Sequence, residues 1–286
     1  IFFSPSDLIT FLESPFATHM ERCLLGDKTK SALLDTPDEL LVNLRKKGFE
    51  HENEFLSSLI LEGKKVTKIE NENNALMLSK TIMSMKNGID VIAQAYLQLD
   101  NFGGVADFLI KVPGKSKLGD YHYEVWDTKL SKKMKPYFAI QLCCYAEMLE
   151  NLQGIKPKNL AIVLGDKKII RLRTNDYFAY YHALKSSFIL FNENWLPNNQ
   201  PDPADTRTHG RWSEYAKKIL ENRRHLSLIA NITQSQIKRL ENAGINTIDD
   251  AANLLPRSIP KLSEDISERL KNQAKIQISS EKKERP

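Results

Sequence analysis

The chain has 286 residues, of which 41% are hydrophobic and 27% are charged, a composition typical of a globular protein with room for two domains. It contains no run of about 18 apolar residues, so no membrane-spanning helix is expected. Residues 207–286 carry 16 Lys and Arg against 10 Asp and Glu, whereas residues 1–206 carry 25 against 26. The C-terminal part is therefore the better candidate for a nucleic-acid contact, although a solvated helical surface explains the same charge equally well.

The N-terminus and the cysteines indicate the setting of the chain. Residues 1–5 lack both an initiator Met and the basic segment of a signal peptide, so we expect them to be the cut end of a longer polypeptide. Cys23, Cys143 and Cys144 offer no framework of paired disulfides. Reduced thiols in a cytoplasmic protein are the expectation.

Hydrophobic periodicity predicts mainly helices in the first third of the chain. Ser4 is a helix cap, and residues 37–61 are expected to form a longer helix. A short strand at 65–69 and a helix at 74–85 follow. The apolar face of the long helix comprises Leu40, Leu41, Leu44, Phe49, Phe55, Leu56 and Leu59.

Strands and helices alternate in the middle of the chain. The predicted strands lie at 91–99, 108–112 and 121–128, with a turn at Asp100–Gly104 and a loop from Pro113. A helix at 136–152, a hairpin at 159–172 and an aromatic-rich helix at 177–195 come next. This order predicts an α/β core with a mixed central sheet flanked by helices.

Beyond a Pro- and Asn-rich linker at 196–203, only helices are expected. One covers Ile232 to Asn242, the next is capped by Thr247 and runs through Leu255, and the last begins near Ser263. We therefore predict two domains, an α/β domain at residues 1–200 and an all-α domain at 201–286.

Two acidic residues and a lysine fall on two adjacent predicted strands. Asp127 and Lys129 are two residues apart, so both side chains face the same side of their strand. A hairpin can bring Asp107 close to Asp127. Two carboxylates beside one ammonium are the groups that a Mg²⁺ site for phosphodiester hydrolysis requires. Glu124 would face the other side, and an isolated Asp-x-Lys is usually a surface charge pair.

These residues resemble the motifs of the RecB-like branch of the PD-(D/E)xK nuclease superfamily. The matching motifs are Gly104-Val105-Ala106-Asp107, Asp127-Thr128-Lys129 and Gln141-Leu142-Cys143-Cys144-Tyr145. His51 lies on an earlier predicted helix, where the family has a metal-binding histidine. The motifs occur in the order of the family, and the resemblance is firm over residues 103–145 and loose elsewhere.

The resemblance implies a restriction-endonuclease-like core and a metal-dependent deoxyribonuclease acting on single-stranded DNA or DNA ends. Asp107, Asp127, His51 and the carbonyl of Thr128 would hold Mg²⁺ or Mn²⁺, and Lys129 would assist the reaction. Relatives are often fused to helicases, so a helicase partner and a role in DNA repair are implied. A non-catalytic DNA-binding module, a protein-interaction domain and an RNA nuclease are the alternatives.

The resemblance also gives roles to Gln141 and Tyr145, which lie four residues apart on one helix face. In the family these residues position DNA or support the lysine. Ordinary helix packing is the alternative for this pair.

One departure from the family concerns its iron–sulfur cluster. Many RecB-like relatives bind a cluster through four cysteines, one before the nuclease core and three after it. Here Ser14 stands where the first cysteine often lies, and no cysteine follows Cys144. We therefore expect no iron–sulfur cluster. The region around Gly210 to Trp212 is expected to be held by packing around Trp195 and Trp212.

Two further segments are candidates for nucleic-acid contacts. Lys132 and Lys133 belong to a group of lysines around the predicted site, although solvated loop lysines are equally expected. Residues 225–256 resemble a helix-hairpin-helix module, in which backbone amides at a helix N-terminus bind a DNA phosphate. Gly244 and Asn246 would form that turn. A plain helical bundle is the alternative.

Overall fold

The structure is a computed structural model that describes residues 1–36, 39–254 and 259–284. Its contacts divide the chain into two compact units. The first comprises Ile1–Leu12 and Thr36–Trp195, and the second comprises Glu13–Asp35 and the described residues from Leu196 onwards. The second unit thus begins close to the predicted boundary at residue 200, but it also includes a segment from near the N-terminus.

The elements follow the predicted order closely. The strands are β1 (Val66–Lys68), β2 (Val91–Leu99), β3 (Phe102–Ser116), β4 (Gly119–Lys129), β5 (Asn159–Leu164) and β6 (Ile169–Arg173). The α-helices are α1 (Pro5–Glu13), α2 (Pro15–Gly26), α3 (Glu39–Leu61), α4 (Asn74–Lys86), α5 (Pro136–Gln153), α6 (Asn175–Glu193), α7 (Ser213–Asn222), α8 (Gln234–Asn242), α9 (Ile248–Ala252) and α10 (Glu264–Glu284). Short 3-10 helices lie at Lys28–Leu33, Pro203–Asp205, Gly210–Trp212 and Leu226–Leu228.

The six strands form one mixed sheet in the order β1-β2-β3-β4-β5-β6. β1 with β2 and β4 with β5 are parallel, and the other neighbours are antiparallel. On one face, Phe55 from α3 packs against Phe108 and Trp126. On the other face, α5 contributes the fully buried Cys143 and Cys144 to the largest core. The mixed sheet predicted from the order of elements is confirmed.

Burial determines the chemistry of these two cysteines. It raises the pKa of each thiol to about 12, so both remain protonated at neutral pH. Cys143 and Cys144 therefore act as small packing groups.

Strand β3 is longer than predicted. The turn before it is only Asp100–Asn101, with Asp100 in the left-handed region at φ 51°. Gly103 and Gly104 lie within the strand and pair with β2, so the prediction of a turn at these glycines is wrong. A Cβ at Gly103 would lie 2.6 Å from the Phe2 ring. These glycines allow neighbouring side chains to pack closely against the strand. In the sequence alone, glycines required for this reason cannot be told from glycines of a turn.

The apolar face predicted for α3 is buried only in its second half. Phe55 and Leu56 pack against the sheet and Leu59 is 8% exposed. Leu41 and Phe49, in contrast, are more than half exposed. Periodicity alone does not distinguish these halves, because burial depends on where the sheet lies.

The second unit has two hydrophobic clusters. One joins α8, α9 and α10, and the other surrounds the fully buried Trp212 and includes Phe16 and Met20 from α2. Packing around Trp212 is thus confirmed, whereas Trp195 lies in the first unit. Helix α9 ends at Ala252, and the predicted end at residue 255 lies outside the described residues.

Polar contacts fix the start of α2 within this unit. The Ser14 hydroxyl accepts a hydrogen bond from the Ala17 amide and lies 3.0 Å from Nδ1 of His209. The Trp212 indole and the Arg211 guanidinium both donate to Glu21. Ser14 therefore serves as a helix cap.

No helix in the described ranges is long and apolar enough to cross a membrane.

A pair of glycine variants tests the close packing between the segments that follow β4 and β5. A Cβ at Gly165 would lie 2.2 Å from the Leu130 carbonyl oxygen, whereas one at Gly48 meets nothing within 4 Å. We expect Gly165→Ala to lower the free energy of unfolding by about 1–3 kcal/mol. Gly48→Ala, inside a helix, should raise it by about 0.5–1 kcal/mol. Urea denaturation measures both, and equal effects would contradict the described packing.

Candidate active site

The site forms where β3 and β4 separate. Their pairing begins at Phe108 and Trp126, and the next position along, Asp107, is not part of the ladder. Instead, Oδ2 of Asp107 accepts hydrogen bonds from the Thr128 amide at 2.8 Å and from the Thr128 hydroxyl at 2.9 Å. Beyond this point β4 continues beside β5, while β3 continues beside β2. A carboxylate therefore occupies the place where the ladder ends.

Asp127 and Lys129 lie on the same face of β4, as the alternation predicts. Nζ of Lys129 lies 2.6 Å from Oδ2 of Asp127, which is only 4% exposed. Burial and, after it, the charge on Asp107 raise the pKa of Asp127 well above its usual range, against the opposing effect of Lys129. The buried Asp127 and the half-buried Asp107 thus lie close together, and the Lys129 ammonium offsets part of their negative charge.

Lys129 remains charged in this environment. Burial alone would lower its pKa, but the charge and hydrogen bond of Asp127, together with the charge on Asp107, raise it more, and the net pKa is raised. The ammonium also lies 5.5 Å from the centre of the Phe138 ring, near the start of α5. The side chain is therefore a fixed positive charge beside two carboxylates.

Helix α5 brings Gln141 and Tyr145 to the same region. The Tyr145 hydroxyl donates to the Val105 carbonyl at 2.7 Å, and Gln141 hydrogen-bonds with the same hydroxyl. Burial and the charges on the two aspartates raise the pKa of Tyr145 well above its usual range. A Cβ at Gly104 would lie 3.0 Å from this hydroxyl, which explains a small residue there.

The structure does not bring His51 to the two aspartates by any described contact. The ring is 7% exposed, and its Nε2 lies 3.2 Å from the main-chain oxygen of Val163 on β5. Among the residues that the structure describes, no group of three or more His, Cys, Asp or Glu side chains is arranged to hold a metal ion. Metal binding by His51 therefore stays a prediction.

Glu52 and Gln94 are two further polar residues near Asp107, to which the sequence alone assigns no role. Burial and then the charge on Asp107 raise the pKa of Glu52, which places this carboxylate within the field of the site. Nε2 of Gln94 donates to Oε1 of Glu52 at 2.5 Å. Gln94 has φ 55° and lies opposite Asp107, between the paired positions Ala93 and Ala95. Such left-handed backbone at a non-glycine residue often marks a functional site.

Glu124 belongs to a separate polar group, as its position on β4 predicts. Its Oε1 accepts from Nδ2 of Asn159 at 2.9 Å, and its Oε2 lies 3.7 Å from Nη1 of Arg171. These partners lie on β5 and β6. Asp127 is therefore the carboxylate of β4 that shares the site with Lys129.

Lys132 and Lys133 lie on the exposed loop that follows Lys129 and precedes α5. The Ser131 hydroxyl donates to the Lys133 carbonyl at 2.7 Å, so the loop has its own internal support. This position agrees with a contact to a phosphate backbone and equally with a solvated loop. Their role as nucleic-acid ligands stays a prediction.

The hairpin turn between α8 and α9 forms where the sequence predicts it. Gly244 has φ 78°, and Thr247 caps α9. However, the amides of Asn246 and Thr247 both donate to Oδ2 of Asp250, at 3.1 and 3.0 Å. The Asp250 carboxylate therefore accepts from the Asn246 amide that is predicted to bind phosphate, and a nucleic-acid contact at Gly244 and Asn246 stays a prediction.

A scan against protein-family models and a search of curated proteins gave no match for this chain. The donor set itself fits a divalent cation. Asp107 and Asp127 are hard oxygen donors whose mutual repulsion a divalent cation would relieve, and Mg²⁺ binds with few protein ligands because it keeps several waters. The two aspartates are the residues that would hold it.

The crowded carboxylates make a testable contribution to stability. Asp107 raises the pKa of both Asp127 and Glu52, so removing its charge relieves two unfavourable interactions and gives up one favourable interaction with Lys129. We expect Asp107→Asn to raise the free energy of unfolding by about 1 kcal/mol at pH 7 in EDTA, because the amide oxygen can still accept from Thr128. Chemical denaturation measures this change. The exposed Asp120→Asn is the control and should show no change, and a destabilised Asp107→Asn would refute the described crowding.

Proposed function

We propose that this chain is a metal-dependent nuclease with a RecB-like PD-(D/E)xK core, hydrolysing phosphodiester bonds of single-stranded DNA or of DNA ends. The observation that carries the proposal is the meeting of Asp107, Asp127 and Lys129 where β3 and β4 separate. A buried carboxylate with a raised pKa beside a lysine, as Asp127 is here, is typical of catalytic sites.

Each side chain has a role that its contacts support. Asp107 and Asp127 would hold Mg²⁺ or Mn²⁺, which when bound lowers the pKa of a water and neutralises charge on the phosphate. Lys129 supplies a fixed positive charge for the phosphate oxygens, because Asp127 and Phe138 keep its ammonium in place. Tyr145 holds the Val105 carbonyl and so fixes β3 just before Asp107.

The contribution of α3 to the site is also part of the proposal. The charge of Asp107 acts on Glu52, whereas the ring of the neighbouring His51 contacts the Val163 carbonyl. Gln94 orients the Glu52 carboxylate through a hydrogen bond. We therefore favour Glu52 over His51 as the side chain of α3 that acts in metal binding.

The second candidate function is a DNA-binding module that retains the fold without catalysis. A purely binding role does not require Asp127 to be buried against Asp107, an arrangement that disfavours the ionised carboxylate. This observation favours catalysis. A helicase partner, a role in DNA repair and a cytoplasmic location rest on the resemblance and on the composition alone.

Cleavage assays test the proposal directly. With end-labelled single- and double-stranded DNA, we expect cleavage in Mg²⁺ or Mn²⁺ and none in EDTA. Asp127→Ala and Lys129→Ala should each reduce the rate about a hundredfold or more, because each removes a group that acts on the reacting phosphate. Lys168→Ala, an exposed lysine on the turn between β5 and β6, is the matched control and should retain full activity. DNA binding without metal-dependent cleavage would favour the binding module instead.

The choice between Glu52 and His51 has its own test. We expect Glu52→Gln to raise the Mn²⁺ concentration needed for half-maximal cleavage about tenfold while leaving the melting temperature unchanged or higher. His51→Gln should lower the melting temperature, because a buried hydrogen bond to β5 is altered, and should leave the Mn²⁺ requirement unchanged. The reverse pattern would restore His51 as the metal ligand.

A further inference from the structure

A partly open cavity of about 420 Å³ lies in the second unit. The segment after Pro203, helix α7, the loop before α8 and helix α8 itself form its wall. Leu220, Ile229 and Ile237 give it an apolar side. Its volume falls within the range of sites that take small organic ligands.

Two cations lie on the wall of this cavity, and no carboxylate is among its lining residues in the described part of the chain. The Arg207 guanidinium donates to the Ile232 carbonyl and has further N–H groups to offer. Lys217 lies 3.9 Å from Glu221, but both side chains are more than half exposed, so this pair holds the lysine only weakly. The wall therefore has a net positive charge.

The loop that forms one wall is fixed by hydrogen bonds. Gln277 on α10 accepts from the Ala230 amide at 2.9 Å and donates to the Leu228 carbonyl at 2.8 Å. Gln234 donates to the Ala204 carbonyl on the other side of the cavity. Such contacts fix the cavity before any ligand arrives, which lowers the entropic cost of binding.

His209 completes the polar part of the wall. It is 5% exposed, and its Nδ1 lies 3.0 Å from the Ser14 hydroxyl, which fixes the orientation of the ring. Burial lowers the pKa of His209, so the ring is neutral at neutral pH and contributes hydrogen bonding rather than charge. Charge recognition in the cavity therefore falls to Arg207 and Lys217.

We propose that this cavity binds a nucleotide unit, with its phosphate at Arg207 and Lys217 and its base against the apolar wall. A cationic side suits a phosphate, and an adjoining apolar side suits a planar heterocycle. The unit comes either from a free nucleotide or from the end of a DNA strand. The lining of the cavity does not include Asp107, Asp127 or Lys129, and the proposed binding does not depend on the nuclease reaction.

Titration calorimetry of the full chain in EDTA, at low salt, tests this site. The probes are dAMP for a free nucleotide and a short 5′-phosphorylated oligodeoxyadenylate for a strand end. We expect at least one probe to bind, and Lys217→Gln to weaken its binding about tenfold or more. Lys218→Gln, the adjacent exposed lysine outside the cavity, is the matched control and should bind as the wild type does. Arg207→Gln should repeat the loss of Lys217→Gln.

The outcomes separate the sources and the two proposals. Binding of dAMP alone identifies a free nucleotide, and binding of the oligonucleotide alone or of both in competition identifies a strand end. Failure of both probes to bind, or equal weakening by the Lys217 and Lys218 variants, would overturn the proposal. Asp127→Ala should retain this binding, so loss of cleavage and loss of nucleotide binding are distinguishable.

Discussion

The hydrogen bonds from Thr128 to the Asp107 carboxylate are the constraint on which the candidate site depends. They end the ladder between β3 and β4 and satisfy an amide that would otherwise lose its partner there. β4 then continues beside β5, so Asp127 and Lys129 lie beyond the end of its ladder with β3. One carboxylate therefore both shapes the sheet and supplies a charged group of the site.

The site combines this geometry with an unfavourable concentration of charge. Asp127 is buried beside Asp107, and Lys129 supplies a positive charge 2.6 Å from its carboxylate. Such an arrangement lowers the stability of the folded chain, and a cost of this kind is typical of functional sites. Two other residues of the site also have an environment that costs free energy. The Tyr145 hydroxyl is deeply buried, and Gln94 has a strained backbone.

The parts of the site that follow strict periodicity could be predicted from the sequence. Alternation along β4 placed Asp127 and Lys129 on one face, and spacing along α5 placed Gln141 beside Tyr145. The sequence did not reveal the choice between His51 and Glu52. Adjacent residues on a helix differ by about 100° in direction, so packing against the sheet decides which one faces the site.

The fold shows the same division between local and long-range information. Element order and type followed from periodicity and from caps such as Thr247. Gly103 and Gly104 were misinterpreted, because a glycine needed for close packing and a glycine needed for a turn look alike in sequence. The second unit is built from two segments that lie far apart in the sequence. Residues 13–35 pack with residues beyond 196. During synthesis α2 therefore cannot pack against its partners around Trp212 until the whole intervening sheet has been translated. Closing so long a loop is slow. Phe16 and Met20 therefore stay exposed to non-native apolar contacts until residues beyond 196 are available to pack against them.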